Sequence, residues 1–296
     1  MAIKVHNPTQ TQLQRPETNL WADALRRLSR NKAAVVSAIF LFLLVLVALF
    51  APLLAPYSPY EPDFSQVRML PSADHWLGTD ELGRDILSRL MYGARVSLFV
   101  GITVQTAATF IGIAVGLLAG YYSGFVDIVL MRAVDIMYAF PNFLFAVFMV
   151  SLLEPSVGSV ILTLSLASWP FVARLVRGQA LSTKNMEYIM AARVIGTPNR
   201  VIMRRHILPN ILSPIIIQFT LGIAGVIMAE AALSFLGIGI RPPNPTWGGM
   251  ISKGREFFRT SPHLAIYPSI ILGLTMIAFN FLGDGLRDAL DPRMKR

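Results

Sequence analysis

Apolar residues in this chain gather into six runs, 33–54, 96–120, 139–153, 157–176, 211–230 and 265–283, separated by polar, charged or proline-rich connections. Most approach the ~20 residues a helix needs to cross the hydrocarbon of a bilayer. None shows the two-residue alternation of a barrel strand, and backbone in lipid must satisfy its own hydrogen bonds. The pattern therefore predicts an all-α polytopic membrane protein with six transmembrane helices. The third run is the shortest, and Arg132 and Asp135 lie just ahead of it, so its near boundary is the least defined. The first run is longer than the roughly 7–15 apolar residues of a secretory signal, and it is expected to remain as a span.

Composition agrees with the pattern. Of 296 residues, 54% are apolar and 15% charged, against about 25% charged in soluble domains, and the mean hydropathy is +0.56. The net charge of +9 is read through its placement in the connections, which sets nucleic-acid binding aside. Lys and Arg number six in 1–32, one at Arg132, seven in 174–210 and four at the C-terminus, against four, none and four in 55–95, 154–156 and 231–264. Short cytoplasmic loops retain positive charge, so both termini are expected in the cytoplasm. The chain has no cysteine, which excludes disulfides, thiolate zinc sites and cysteine nucleophiles. His6, His75, His206 and His263 stand on different connections without helical pairing, so no metal site is expected.

Leu20, Trp21, Ala24, Leu25 and Leu28 share a helical face, with Arg26, Arg27, Arg30 and Lys32 beside or opposite it. Two readings stand: a helix lying in the headgroup layer against anionic lipid, or a solvated flank that only sets topology. Gly112, Gly116 and Gly120 recur at every fourth position of the second run. They form a ridge that another helix can approach closely, although glycine is also simply common in membrane helices. Arg174 and Arg177 are read as snorkelling at the inner interface. Asp284, Asp288 and Asp291 are read as solvated or paired with Arg287 and Arg293.

Residues 183–210 encode two short helices. Gly196 fits the position just past a helix end, where positive φ is cheap, and Thr197 with Pro198 is expected to supply an N-cap and a first-turn proline. Glu187, Ala191 and Ala192 precede the turn; Val201, Ile202 and Ile207 follow it, ahead of an expected stop at Leu208-Pro209. A small-faced helix on a rigid turn suits docking into a groove of another protein. The residues alone favour an ordinary basic loop.

In order and spacing, Glu187, Ala191, Ala192, Gly196, Ile207, Leu208 and Pro209 resemble the EAA loop of ABC importer permeases, in the variant of the peptide and nickel branch. Residues 77–85 (LGTDELGRD), 88–95 (SRLMYGAR), 232–237 (ALSFLG), Trp247-Gly248 and 280–292 (NFLGDGLRDALDP) resemble the second permease of dipeptide and oligopeptide importers. The resemblance covers roughly residues 20–296. It implies the type I, MetI-like permease fold: a tail 1–32, a first span with its external loop 33–95, a core domain 96–286 carrying the coupling loop 183–209, and a tail 287–296. It also implies the partners: a homologous second permease in a heterodimer, two ATP-binding subunits, an extracytoplasmic solute-binding protein and membrane lipid. Glu187 would make the polar contact to the motor, Ala191 and Ala192 the close packing, and Gly196 the bend. Site, cofactor and metal residues of an enzyme are not expected. ATP and Mg would sit on the partners, because none of Lys4, Lys32, Lys184, Lys253 and Lys295 stands in a phosphate-cradling G-K-Ser/Thr setting.

Within this frame Glu230 is a candidate for the translocation path, since an ionisable group at membrane depth is by default functional. The competing reading, which is favoured, leaves it at the outer interface where the helix ends. Asp80, Arg84 and Asp85 are read as an internal brace of the outer loop rather than a surface for the binding protein. Peptides are the expected cargo, with nickel complexes second. A stand-alone secondary transporter would need broken helix pairs in matching halves and charged relays, and an intramembrane enzyme a nucleophile and base or a metal cluster; neither pattern is evident.

Overall fold

The computed structural model describes residues 20–290; residues 291–296, with Asp291 and Arg293, and the side chains of Leu20 and Trp21 lie outside the description, as does the chain ahead of Leu20. The elements are α1 (Leu20–Leu28), α2 (Lys32–Leu49), α3 (Ala51–Leu54), α4 (Ile86–Tyr122), α5 (Gly124–Tyr138), α6 (Asn142–Leu152) and α7 (Val157–Thr183). After these come α8 (Glu187–Val194), α9 (Asn199–Val201), a π-helical turn Ile202–Ile207, α10 (Leu208–Asn210), α11 (Leu212–Phe235), α12 (Trp247–Glu256) and α13 (His263–Leu290). Helices α2, α4, α7, α11 and α13 are long and apolar enough to cross a membrane, and α5 with α6 makes a sixth span if the bent pair is taken as one.

Capping residues set where the long helices begin. Asn31 accepts the Ala34 N–H at the start of α2, and Ser156 accepts that of Ser159 at the start of α7. Asp85 caps α4 through the Ser88 N–H at 2.7 Å. The apolar run locates only the lipid-crossing part of α4, because the first ten residues carry Arg89, Tyr92 and Arg95. Its 37 residues extend about 55 Å at 1.5 Å per residue, well beyond the ~30 Å hydrocarbon.

The third span differs from its expected form as an uninterrupted helix over 139–153. Helices α5 and α6 meet at 80° across residues 139–141. Pro141 has no N–H to donate and disfavours helical backbone at Phe140 before it. The bend turns the charged face of α5 toward α7: Arg177 forks onto Asp127 at 2.6 and 2.7 Å, and Arg174 reaches Asp135 at 2.7 Å. The two arginines thus tie α7 to α5.

Helix α4 packs along α7, and the glycine ridge is the reason. A Cβ at Gly112 would meet Val172, one at Gly116 the carbonyl of Ala173, and one at Gly120 would lie 2.7 Å from Ala180 Cβ. Close approach lets dispersion contacts accumulate where lipid offers no hydrophobic driving force. A second core joins α2, α4, α11 and α13 through Leu41, Leu44, Leu98, Ile223, Ile227 and Phe279, with Trp247 of α12 inserted. Trp247 is fully buried and donates Nε1–H to the Leu90 carbonyl at 3.2 Å. Helix α1 lies against the far end of α13, with Ala24 buried and Leu28 beside Gly285. Asp284, Arg287 and Asp288 are exposed.

Candidate functional site

The end of the bundle where α4 stops and α7 runs out carries the 183–210 hairpin. Ile189 and Ala192 of α8 face inward onto Tyr121, Val176 and Ala180, together with Ile202, Met203, Ile207 and Ile211. The turn closes with the Gly196 N–H on the Arg193 carbonyl and the Thr197 N–H on the Ala192 carbonyl, both 3.0 Å, and Gly196 has φ +82°. These two bonds satisfy carbonyls that the helix end leaves open. The N-cap of α9 is Pro198 rather than Thr197, with no side-chain cap bond.

The expected stop at Leu208-Pro209 is also revised. The chain stays helical through Pro209 because the preceding turn widens to π geometry, the Leu208 N–H bonding five residues back to Met203. The wider turn accommodates the missing N–H of proline and eases its clash with the preceding turn.

Polar contacts anchor the hairpin to the end of α4. Tyr121 Oη donates to Asn199 Oδ1 at 2.7 Å, and the Arg193 guanidinium sits 5.1 Å from the centre of the Tyr121 ring. Lys184 Nζ donates to the Gly120 carbonyl at 2.9 Å and to Ser123 Oγ. Burial, and after it the nearby Arg193, holds the Lys184 ammonium below the ordinary lysine range.

The hairpin's outward face holds Glu187, Tyr188, Met190 and Ala191 and ends in Val194 and Ile195, 87% and 81% exposed. The structure thus divides the residues of the motif. Glu187, Ala191, Gly196 and Pro209 are exposed, Leu208 is half-buried, and Ala192 and Ile207 belong to the chain's own core. Ala192 was expected to pack on a partner, but helical geometry puts adjacent residues about 100° apart, so Ala191 and Ala192 face different ways. Val194 and Ile195 were missed by the motif, and their signal is two branched apolar residues ahead of a turn glycine.

A second feature lies midway along the bundle. Helices α6, α7 and α11 enclose an open groove of about 320 Å³, reached by Gln105 of α4. Ala229 lines it, whereas Glu230 is fully buried. The Glu230 carboxyl accepts from Ser234 Oγ at 2.8 Å and Ser97 Oγ at 3.3 Å, and α11 continues beyond it to Phe235. Glu230 therefore links α4 to α11 inside the chain and does not line the groove.

At the opposite end, Asp80 binds Arg84 at 2.8 Å and Arg89 at 3.1 Å. Asp85 meets His75 at 3.0 Å, and all five side chains are buried. The loop also hydrogen-bonds to itself through Asp63, whose carboxyl the Ser65 hydroxyl and N–H hold below the usual carboxylate range.

A helical bundle with a broken span, a groove at mid-depth and a rigid helical hairpin at one end describes a membrane-embedded transport subunit. The family described as "Binding-protein-dependent transport system inner membrane component" matches residues 112–296, and that described as "N-terminal TM domain of oligopeptide transport permease C" matches residues 19–71. The chain belongs to this family: it is a multi-pass inner-membrane permease subunit of an ABC importer, whose ATPase is a separate subunit.

The chain is 44% identical to the dipeptide transport system permease protein DppC of Alkalihalophilus pseudofirmus, over 93% of this chain and 90% of that one. It is 41% identical to DppC of Bacillus subtilis, over 96% and 89%. The glutathione transport system permease protein GsiD of Escherichia coli O157:H7 is 44% identical, over 93% and 91%. Among solved structures, the inward-facing MetNI methionine ABC transporter aligns with a TM-score of 0.59 at 18% identity, over 70% of this chain and 98% of that one. At that identity the likeness is one of fold.

Proposed function

We propose that this chain forms one half of the translocation pathway of a peptide importer and receives the power stroke through the 183–209 hairpin. The partners are a homologous but distinct second permease, two ATPase subunits that hold ATP and Mg, and an extracytoplasmic solute-binding protein. The carrying observation is the hairpin's exposed apolar tip, Val194 and Ile195, on a helix whose other face is locked into the chain's own core. Bare branched apolar side chains on a rigid polar-flanked support outside the spans suit a docking contact. A motor can bias the permease only if its contacts differ between the two permease states, and a stiff hairpin joined to α7 and α11 passes that difference to the spans.

Peptide cargo is supported by the two relatives named for dipeptide transport and the one named for glutathione transport. Placing the hairpin in the cytoplasm, with both termini, follows the charge bias of the connections. Anionic lipid is taken as a neighbour of the basic face of α1, and 1–32, 33–95, 96–286 and 287–296 remain the working division of the chain.

Two substitutions test the coupling. Glu187→Lys reverses the charge on the outward face, and Gly196→Val forces a β-branched residue into φ +82°, a strain of about 1–3 kcal/mol. Both are expected to abolish ATP-driven uptake in reconstituted vesicles while membrane insertion persists. Wild-type uptake rates in both variants would remove the assignment.

A further inference from the structure

Among the described residues, the lining of the groove between α6, α7 and α11 holds no ionisable side chain; its polar groups are the carboxamides of Gln105, Asn142 and Gln218 and the Ser168 hydroxyl. Gln105 is the unusual member. It is 2% exposed, and Nε2 makes a single long bond, 3.4 Å, to Thr109 Oγ1 on its own helix. Among the described residues its Oε1 accepts no hydrogen bond, and the carboxamide borders the groove, which leaves that acceptor available to an occupant. The amide lies flat against Gly222, where any Cβ would displace it. Residues 218, 222, 225 and 229 of α11 recur at helical spacing along the groove, and a Cβ at Gly225 would meet open space.

A peptide presents a donor and an acceptor at each main-chain link, and a carboxamide offers the same pair in return. A charged terminus or side chain would find no counter-charge in this wall. We propose that the groove is this chain's cargo contact, in which Gln105 and Gln218 hydrogen-bond the main-chain amides of the passing peptide. The pathway thereby reads the peptide link and is indifferent to side-chain charge. This rests on the reading that the importer carries peptides.

The test uses the complete importer, with both permeases, the ATPase subunits and the binding protein, in lipid vesicles. Wild-type uptake of a radiolabelled dipeptide checks the underlying reading, and its absence would sink that reading. Given wild-type uptake, Gln105→Leu combined with Gln218→Leu is expected to slow dipeptide entry about tenfold while ATP hydrolysis stimulated by the binding protein stays within about twofold. Unchanged uptake overturns the proposal.

A second readout survives any assembly defect of that pair. The chain lacks cysteine, so Ser168→Cys introduces a single thiol into the groove. Dipeptide loaded into the vanadate-trapped complex is expected to slow its reaction with a hydrophilic maleimide several-fold. A rate indifferent to peptide, the result if lipid or a helix of the second permease fills the groove, overturns the proposal.

Discussion

The two polar ends of this molecule solve opposite problems. In the connection ahead of α4 and in the first turn of that helix the charges turn inward: Asp80 holds Arg84 and Arg89, Asp85 holds His75, and all are buried. In the 183–210 hairpin the apolar tip turns outward, with Val194 and Ile195 nearly bare. A loop whose charges satisfy one another is a brace, because each paired group has lost its capacity to recruit a partner. A loop that displays apolar side chains on a rigid frame leaves that surface open to the partner proposed for it.

The comparison breaks most sharply at Asp80. Asp80→Ala leaves the buried Arg89 guanidinium with no carboxylate and Arg84 with Glu81 alone, a loss of about 3–5 kcal/mol, and is expected to lower the thermal midpoint of the detergent-purified permease severely; an unchanged midpoint would show that the loop is no brace. At the other end, Val194→Asp with Ile195→Asp should leave that midpoint within about 0.5 kcal/mol of wild type, as exposed substitutions do. The same pair is expected to weaken ATPase association by about 2 kcal/mol or more, measured as pull-down affinity; retained affinity would strip the tip of its role.

Between these extremes stands the α4–α7 seam that joins the two ends. Gly116→Ala drives a methyl into the Ala173 carbonyl and is expected to cost about 1–3 kcal/mol of stability, again read from the thermal midpoint.

The smallest effect is at Lys184. Lys184→Met removes the bonds to the Gly120 carbonyl and Ser123, worth about 0.5–1.5 kcal/mol. The sign of its pH dependence follows from the lowered pKa. The folded chain binds this proton less tightly than the unfolded chain, so wild-type stability relative to Lys184→Met should rise slightly as pH climbs through the window just below the ordinary lysine value. A fall in that difference would reverse the assignment.

Much of this was legible along the chain. Runs of apolar residues mark spans because lipid imposes a length, and the glycine ridge marks a seam because only a missing Cβ admits a neighbouring backbone. Gly196 was legible for a similar reason, since a turn with positive φ selects the residue without a side chain. The bend at Pro141 was less so. The apolar run passes straight through it, and the charges that would have exposed it, Asp127 and Asp135, find their partners 50 and 39 residues away.

The sequence by itself determined what is local: which segments are long and apolar enough to span, where glycines permit close approach, and that a turn with positive φ falls at Gly196. Only the tertiary structure decided which side each residue faces. It buried Glu230 beside Ser97 and Ser234, turned Ala192 and Ile207 inward while leaving Ala191 and Ile195 bare, and set Gln105 against Gly222 at the groove. Facing is a property of pairs of helices brought together from distant parts of the chain, and a pattern one residue wide carries no record of which neighbour arrives.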